Sequence, residues 1–310
     1  MSSLLAIVRK RHFYVPESAC TSETMKHSTQ IILRAIRAAH SGVHKYVNAQ
    51  SVFDDMRSPD QAWTPEMLDY FNVPIRLTPP YPDMWIEARF RDQKGSQNVT
   101  FLLRRFDFDD RGWAGHMAQE IVDAVLEDKP TWVIHCLVFV EYGGSAMFAE
   151  EQLMWLDANG RFQRSARIGI LDKDNTCSTA NTLVARCHTA FLVHTLARFN
   201  CANASIRPLS NGRKSSRRRN QEPSTVWNTI VVSQVRAPRA TKQSDGDGCT
   251  QLRSHWVRGH YADYSSGAGL FGRESLRGVF WIHEHQRGEV ENGKVISDYR
   301  VAARVQGATI

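Results

Sequence analysis

Apolar positions recur near helical spacing from residue 24 to 40, at Met25, Ile31, Ile32, Leu33, Ala35, Ile36 and Ala39. Ser22 and Thr24 offer N-caps and Gly42 a stop, so the spacing predicts a helix. Trp63-Thr64-Pro65-Glu66 predicts another helix start, with Thr64 as the cap, Pro65 in the first turn, Met67, Leu68 and Phe71 behind it and Pro74 ending it. Pro79, Pro80 and Pro82 keep the chain extended into a strand over 83–90, and the turn-forming residues 92–96 make 97–106 its hairpin partner. Between 114 and 127, Met117, Ile121, Val122, Val125 and Leu126 mark an amphipathic helix that Pro130 closes.

The run Trp132-Val133-Ile134-His135-Cys136-Leu137-Val138-Phe139-Val140 is nearly all apolar and suits a central strand. His135 and Cys136 inside it read as a core histidine beside a core thiol rather than a catalytic pair. Residues 180–200 form the longest helix candidate, apolar nearly all round through Leu183, Val184, Cys187, Ala190, Phe191, His194, Leu196, Ala197 and Phe199, as a core helix requires. Strands and isolated helices, without regular βαβ alternation or a glycine-rich phosphate loop, predict an α+β fold built on a mixed or antiparallel sheet with packed helices.

Composition narrows the function classes. Of 310 residues, 42% are hydrophobic and 23% charged, which excludes intrinsic disorder and collagen-like repeats. No run of eighteen apolar residues occurs, and Arg9, Lys10 and Arg11 follow only a short apolar stretch, so a soluble cytoplasmic protein without a membrane partner is expected. Six cysteines without any CxxC pair predict neither a disulfide framework nor a cysteine zinc site. Lys plus Arg number 39 against 32 Asp plus Glu, a net charge of +7, which favours an anionic partner such as nucleic acid.

The cations concentrate in one place. From 206 to 221, Arg207, Arg213, Lys214, Arg217, Arg218 and Arg219 occur with no acid among them, in a Ser- and Asn-rich stretch that reads as a basic loop. A strand over 226–235 and a flexible connection over 236–251 follow. Three parts are therefore expected: a main domain over 1–205, the basic loop, strand and linker over 206–251, and a β-rich module over 252–310.

That last module carries the unusual residues. Four of the twelve histidines, His255, His260, His283 and His285, fall within thirty-one residues, among aromatics, arginines and glycines. If 256–261 is one strand, its two-residue period puts Trp256, Arg258 and His260 on one face; Trp281, His283 and His285 share a face of a second strand likewise. Pairing of the two strands would gather Arg258, His260, His283 and His285, with Gly267, Gly269, Gly272 and Gly278 between them permitting close approach of a partner or phosphate. The spacing matches no recognised metal site, so no metal or cofactor is expected. In a binding role, Arg258, Arg273, Arg287, His255 and His260 contact phosphates while Trp256, Tyr261, Tyr264 and Trp281 stack on bases, and Arg213, Lys214, Arg217, Arg218 and Arg219 add electrostatic affinity. In the alternative, a metal-independent endoribonuclease, His260, His283 or His285 serve as general base and acid and Arg258 stabilises the phosphorane.

The stretch His255-Trp256-Val257-Arg258-Gly259-His260-Tyr261, followed by an aromatic strand and a late Arg287-Gly288, resembles the RGHW/RGHF tail of a family of phage and mobile-element proteins. Pro79-Pro80-Tyr81-Pro82-Asp83-Met84-Trp85-Ile86-Glu87 is similar to that family's proline-rich entry into a strand, and Leu196-Ala197-Arg198-Phe199-Asn200 to the end of its long helix. The family includes a type V-A anti-CRISPR protein acting on effector synthesis. The resemblance therefore implies a phage-encoded protein in the host cytoplasm that engages RNA or a ribosome-associated nascent chain to counter host defence or regulate expression. Tyr261, where that protein has Trp, and the added Gly269-Leu270-Phe271-Gly272-Arg273 depart from its pattern. No oligomeric state is read from the chain.

Overall fold

A computed structural model describes residues 4–14, 22–41, 45–56, 73, 75–92, 95–114, 117–168, 179–209, 227–234, 253–257, 259–287 and 289–294. The chain runs α1 (Leu4–Arg9), β1 (Phe13–Tyr14), α2 (Ser22–Ser41), β2 (Lys45–Asn48), α3 (Gln50–Asp55), β3 (Asp83–Asp92), β4 (Gly95–Asp107), α4 (Gln119–Asp128), β5 (Trp132–Tyr142), β6 (Ser145–Leu156), β7 (Phe162–Ile168), α5 (Thr179–Phe199), β8 (Ala204–Pro208) and β9 (Trp227–Val232). These nine strands make one mixed sheet, ordered β1-β6-β5-β4-β3-β2-β9-β8, with β7 also paired to β6. Its centre is the antiparallel meander β3 to β6; β2 joins β3 and β9 in parallel, and β1 joins β6 in parallel.

Helices cover both faces, which is why β5 shows no alternation. Its even positions Ile134, Cys136 and Val138 pack under α3 and α5, and its odd positions divide between two clusters on the other face. Leu137 and Phe139 meet α1 and α2, and Val133 meets Val125 and Ile121 of α4. An antiparallel strand buried on both faces has no polar side to display.

The helix expected over 114–127 begins later, at Gln119. A 3-10 turn, Arg111–Trp113, precedes it and buries Trp113 in the space that an earlier start would fill. The helix read after Thr64 and the tip of the β3–β4 hairpin lie outside the described residues. Strands β6 and β7 had no sequence prediction, because Glu150, Glu151 and Gln152 interrupt the apolar pattern of β6 while being buried in it.

The main sheet does not stop at residue 205. β8 occupies the beginning of the expected basic loop and, with β9, completes the sheet edge beside β2. Residues 210–226, which hold Arg213, Lys214, Arg217, Arg218 and Arg219, lie outside the described residues. The C-terminal part is β-rich, as two small sheets: β10 (Arg253–Val257), β13 (His285–Arg287) and β14 (Glu289–Lys294) in one, β11 (His260–Asp263) and β12 (Val279–Ile282) in the other. Among the described residues no helix is long and apolar enough to cross a membrane.

One buried carboxylate ties α1 to the sheet. Glu87 of β3 accepts from the backbone N–H of Leu4 at 3.0 Å and of Leu5 at 3.4 Å, and from Trp85 Nε1 at 3.4 Å. Burial outweighs these bonds and raises its pKa above the ordinary 4.5. The folded state therefore holds this proton more tightly than the unfolded state, so the stabilising contribution is complete below pH 4.5 and is lost as pH rises through the raised value. Wild type is expected to lose stability relative to Glu87→Gln as pH is raised from 4.5. Parallel denaturant titrations of both proteins across pH check this; a pH-independent difference refutes it.

Candidate functional site

The two strands of the tail do pair, but not as one uninterrupted ribbon. Val257 lies opposite His285 and His260 opposite Ile282, a shared register whose pairs fall in two small sheets, β10 with β13 and β11 with β12. β10 and β11 belong to different sheets, and the expected face of Trp256, Arg258 and His260 rests on Arg258 and the Trp256 side chain, which lie outside the described residues. Gly259 sits at the break for a steric reason, since a Cβ there would stand 2.6 Å from Cζ2 of Trp281. The glycine of the Arg-Gly-His motif thus seats the Trp281 indole.

Of the rings expected from sequence to stack on bases, Trp281 is a core residue and Tyr261 is partly buried against that core. Trp281 is 2% exposed and Tyr261 packs edge-on to it, with centroids 4.8 Å apart. The guanidinium of Arg198, on α5, lies 3.5 Å from the Trp281 ring centroid, close enough for a cation–π contact. Its Nη1 donates to Asp55 Oδ2 at 2.8 Å. Tyr261 stacks parallel to His194 one turn earlier on α5 and donates from its hydroxyl to the His194 carbonyl at 3.3 Å. Backbone bonds finish the attachment: Ala202 N donates to Val279 O at 2.7 Å, and Asn203 both accepts from Trp281 N at 3.1 Å and donates to Trp281 O at 2.9 Å. Burial raises the pKa of the Tyr261 hydroxyl and pushes the neighbouring Cys201 thiol up to about 12, so neither ionises in the neutral range.

The remaining tail residues scatter. His260 is exposed on the face of β11 opposite Tyr261, His283 is half-buried, and exposed His285 directs Nδ1 at the His283 carbonyl, 3.0 Å away. Tyr264 rests edge-on against Phe280 and Arg273 is exposed. Gly269, read as room for a partner, instead lets the chain close on itself, because a Cβ there would lie 2.1 Å from the Arg273 carbonyl oxygen. Arg258 and the side chains of His255, Trp256 and Arg287 lie outside what is described. Among the described residues no group of three or more His, Cys, Asp or Glu gathers to hold a metal.

Buried histidine–carboxylate pairs flank β6 on both faces. His135 Nε2 lies 2.5 Å from Glu151 Oε1, and His188 Nδ1 2.6 Å from Glu150 Oε1, which also accepts from Gln152 Nε2 at 2.7 Å. Both are enclosed structural bonds, consistent with His135 as a core histidine. Burial, with the negative charge of Glu150 nearby, holds the Cys136 thiol well above its ordinary pKa.

Where the tail hairpin meets the main sheet there is an open polar cleft of about 440 Å³, lined by Ile75, Arg76, Asn159, Arg161, Asn200, Asp263, Ser265 and Val279. Its frame is built by hydrogen bonds. Leu77 N donates to Gly160 O at 2.7 Å, which joins the segment carrying Arg76 to the one carrying Arg161. Asp157 Oδ1 accepts from the N–H groups of Asn159 and Arg161, each at 2.8 Å, and closes the β6–β7 turn. Asn200, just beyond α5, donates to Thr78 O at 3.0 Å and Leu196 O at 2.8 Å. Hydrogen bonds from the Ser265 hydroxyl and amide, together with the charge of Arg161, hold Asp263 below the usual carboxylate range. Among the described residues neither Arg76 nor Arg161 has a salt-bridge partner. The site is not legible in the sequence because its residues come from five separate stretches of chain; the Asp-Ala-Asn-Gly turn at 157–160 is its one local signal.

Gly160 is the stereochemical key to the cleft. Its φ is +74°, and a Cβ would stand 2.7 Å from Thr78 Oγ1. Gly160→Ala is expected to cost about 1–2 kcal/mol in strain and to displace Arg161; a melting temperature equal to wild type contradicts this.

No known family, curated protein or solved structure matches the chain.

Proposed function

We propose that the protein binds RNA through phosphate contacts centred on the cleft where the tail hairpin meets Arg76 and Arg161, and does not cleave it. The observation carrying this reading is that Arg76 and Arg161, neither with a salt-bridge partner among the described residues, line one cleft and lie on segments joined by the Leu77–Gly160 backbone bond. Arginine forks suit phosphate oxygens, and preorganised ones lose little entropy on binding. The net charge of +7 and the basic stretch 213–219 support the same partner. A phage counter-defence role in the host cytoplasm, on RNA or a ribosome-associated nascent chain, rests on the tail motif alone.

RNA affinity measured by fluorescence anisotropy across salt concentration tests the reading. Log affinity is expected to fall linearly with log salt, and replacing Arg217, Arg218 and Arg219 by Ala to flatten the slope by about 2, at roughly 0.7 per single-strand phosphate contact. Arg76→Gln with Arg161→Gln is expected to flatten it by about 1.4. No RNA binding at low salt overturns the proposal. Cleavage of RNA in chelator, abolished by His260→Gln, promotes the endoribonuclease instead.

A further inference from the structure

The RNA-binding reading leaves open which part of a nucleic acid enters the cleft, and one lining residue narrows the answer. Two arginines on one wall call for an anion, but Asp263 on the hairpin wall repels one. A ligand satisfying both must therefore carry an anionic end and a hydrogen-donating end. Asp263 Oδ1 accepts from Ser265 N at 2.8 Å, which aims the carboxylate. An ionised carboxylate has about four acceptor sites, so capacity remains for two more donors. Vicinal hydroxyls of a ribose supply such a pair, and an acidic residue set against ribose hydroxyls is a recurrent device of nucleotide sites.

Size and lining agree with this. A cleft of about 440 Å³ lies in the range of small-ligand sites and takes a single nucleotide rather than a helix. Ile75 and Val279 supply apolar surface, and among the described residues no aromatic ring lines the cleft to stack on a base. The frame is also built beforehand: Gly160 places the Arg76 stem 3.5 Å from its own Cβ direction, one residue before Arg161.

We infer that the cleft takes a ribonucleoside phosphate with a free 2′,3′-diol, the phosphate between Arg76 and Arg161 and the diol on Asp263, with no preference among bases. This inference rests on the RNA-binding reading and names the unit recognised. The same chemistry is presented by a free ribonucleotide and by the 3′-terminal residue of an RNA.

Calorimetric titration of the full chain with AMP, CMP, 2′-deoxy-AMP and inorganic phosphate, beside RNA ending in a 3′-hydroxyl or a 3′-phosphate, tests it. AMP and CMP are expected to bind within about threefold of each other, and 2′-deoxy-AMP about tenfold more weakly, the loss of a hydrogen bond to a charged group. Asp263→Asn should abolish that ribose preference, while Arg161→Gln and Arg76→Gln, both exposed positions, each weaken AMP about tenfold or more with unchanged melting temperature. Preference for a 3′-hydroxyl RNA identifies the RNA end as the source; AMP binding with no such preference identifies the free nucleotide, and both support the inference. Equal affinity for AMP and 2′-deoxy-AMP overturns it. RNA binding that depends on Arg161 without any AMP binding overturns it and leaves the RNA-binding reading standing, whereas absence of both overturns both.

Discussion

Arg198→Ala is expected to destabilise the protein by about 3–5 kcal/mol, the range for removing one partner of a buried ion pair. The Arg198 side chain is 2% exposed and Asp55 28% exposed, so the loss leaves a partly buried carboxylate without this partner. The same guanidinium roofs Trp281, so its removal also opens a void beneath the tail hairpin. Tyr261 and Val279 pack against that core and depend on the attachment. Asp55→Asn should cost less, because the amide oxygen still accepts from Arg198. Urea unfolding followed by tryptophan fluorescence checks both. An Arg198→Ala protein within about 1 kcal/mol of wild type would show that the stacked cation does not anchor the hairpin, since surface-type substitutions fall in that range.

Glu151→Leu is expected to cost about 3 kcal/mol or more for the same physical reason applied within the sheet. Glu151 is 0% exposed and His135 7% exposed, and their 2.5 Å contact lies between the cluster under α1 and α2 and the cluster under α4. Removing the carboxylate leaves the imidazole in apolar surroundings without that partner. The double substitution His135→Leu with Glu151→Leu is expected to recover most of the loss, because apolar residues of similar volume replace buried ion pairs at little net cost. A double mutant no more stable than Glu151→Leu would point to a further role for this pair. Far-ultraviolet dichroism of all three proteins in denaturant makes the comparison.

Local pattern was sufficient wherever burial is one-sided or complete over many residues. Periodicity placed α2, and the near-continuous apolar runs placed β5 and α5, because burial along such a length leaves an unambiguous mark. The proline-bounded hairpin of β3 and β4 was equally legible, since Pro79, Pro80 and Pro82 restrict the backbone whatever lies around it. The sequence pattern failed at β6, where Glu150 and Glu151 look solvent-facing; His188 and His135, brought in from a helix and a neighbouring strand, pair with them and make their burial acceptable.

The tail shows the same division. Its chemical peculiarity was visible in the sequence, and the approximate strand pairing with it, but the roles of its residues were not. Trp281 and Tyr261 carry no local sign that Arg198, His194 and Asn203 will bury them, and Gly259 owes its identity to a ring twenty-two positions away in the chain. Arg76 and Arg161 are far apart in sequence and come to line one cleft where a backbone bond joins Leu77 to Gly160. By itself the sequence determined the α+β class, the principal helices and strands and the positive charge, all consequences of neighbouring residues and composition. Tertiary structure decided which aromatics are core and which arginines line the cleft, because both depend on contacts between segments whose separation along the chain leaves no periodic trace.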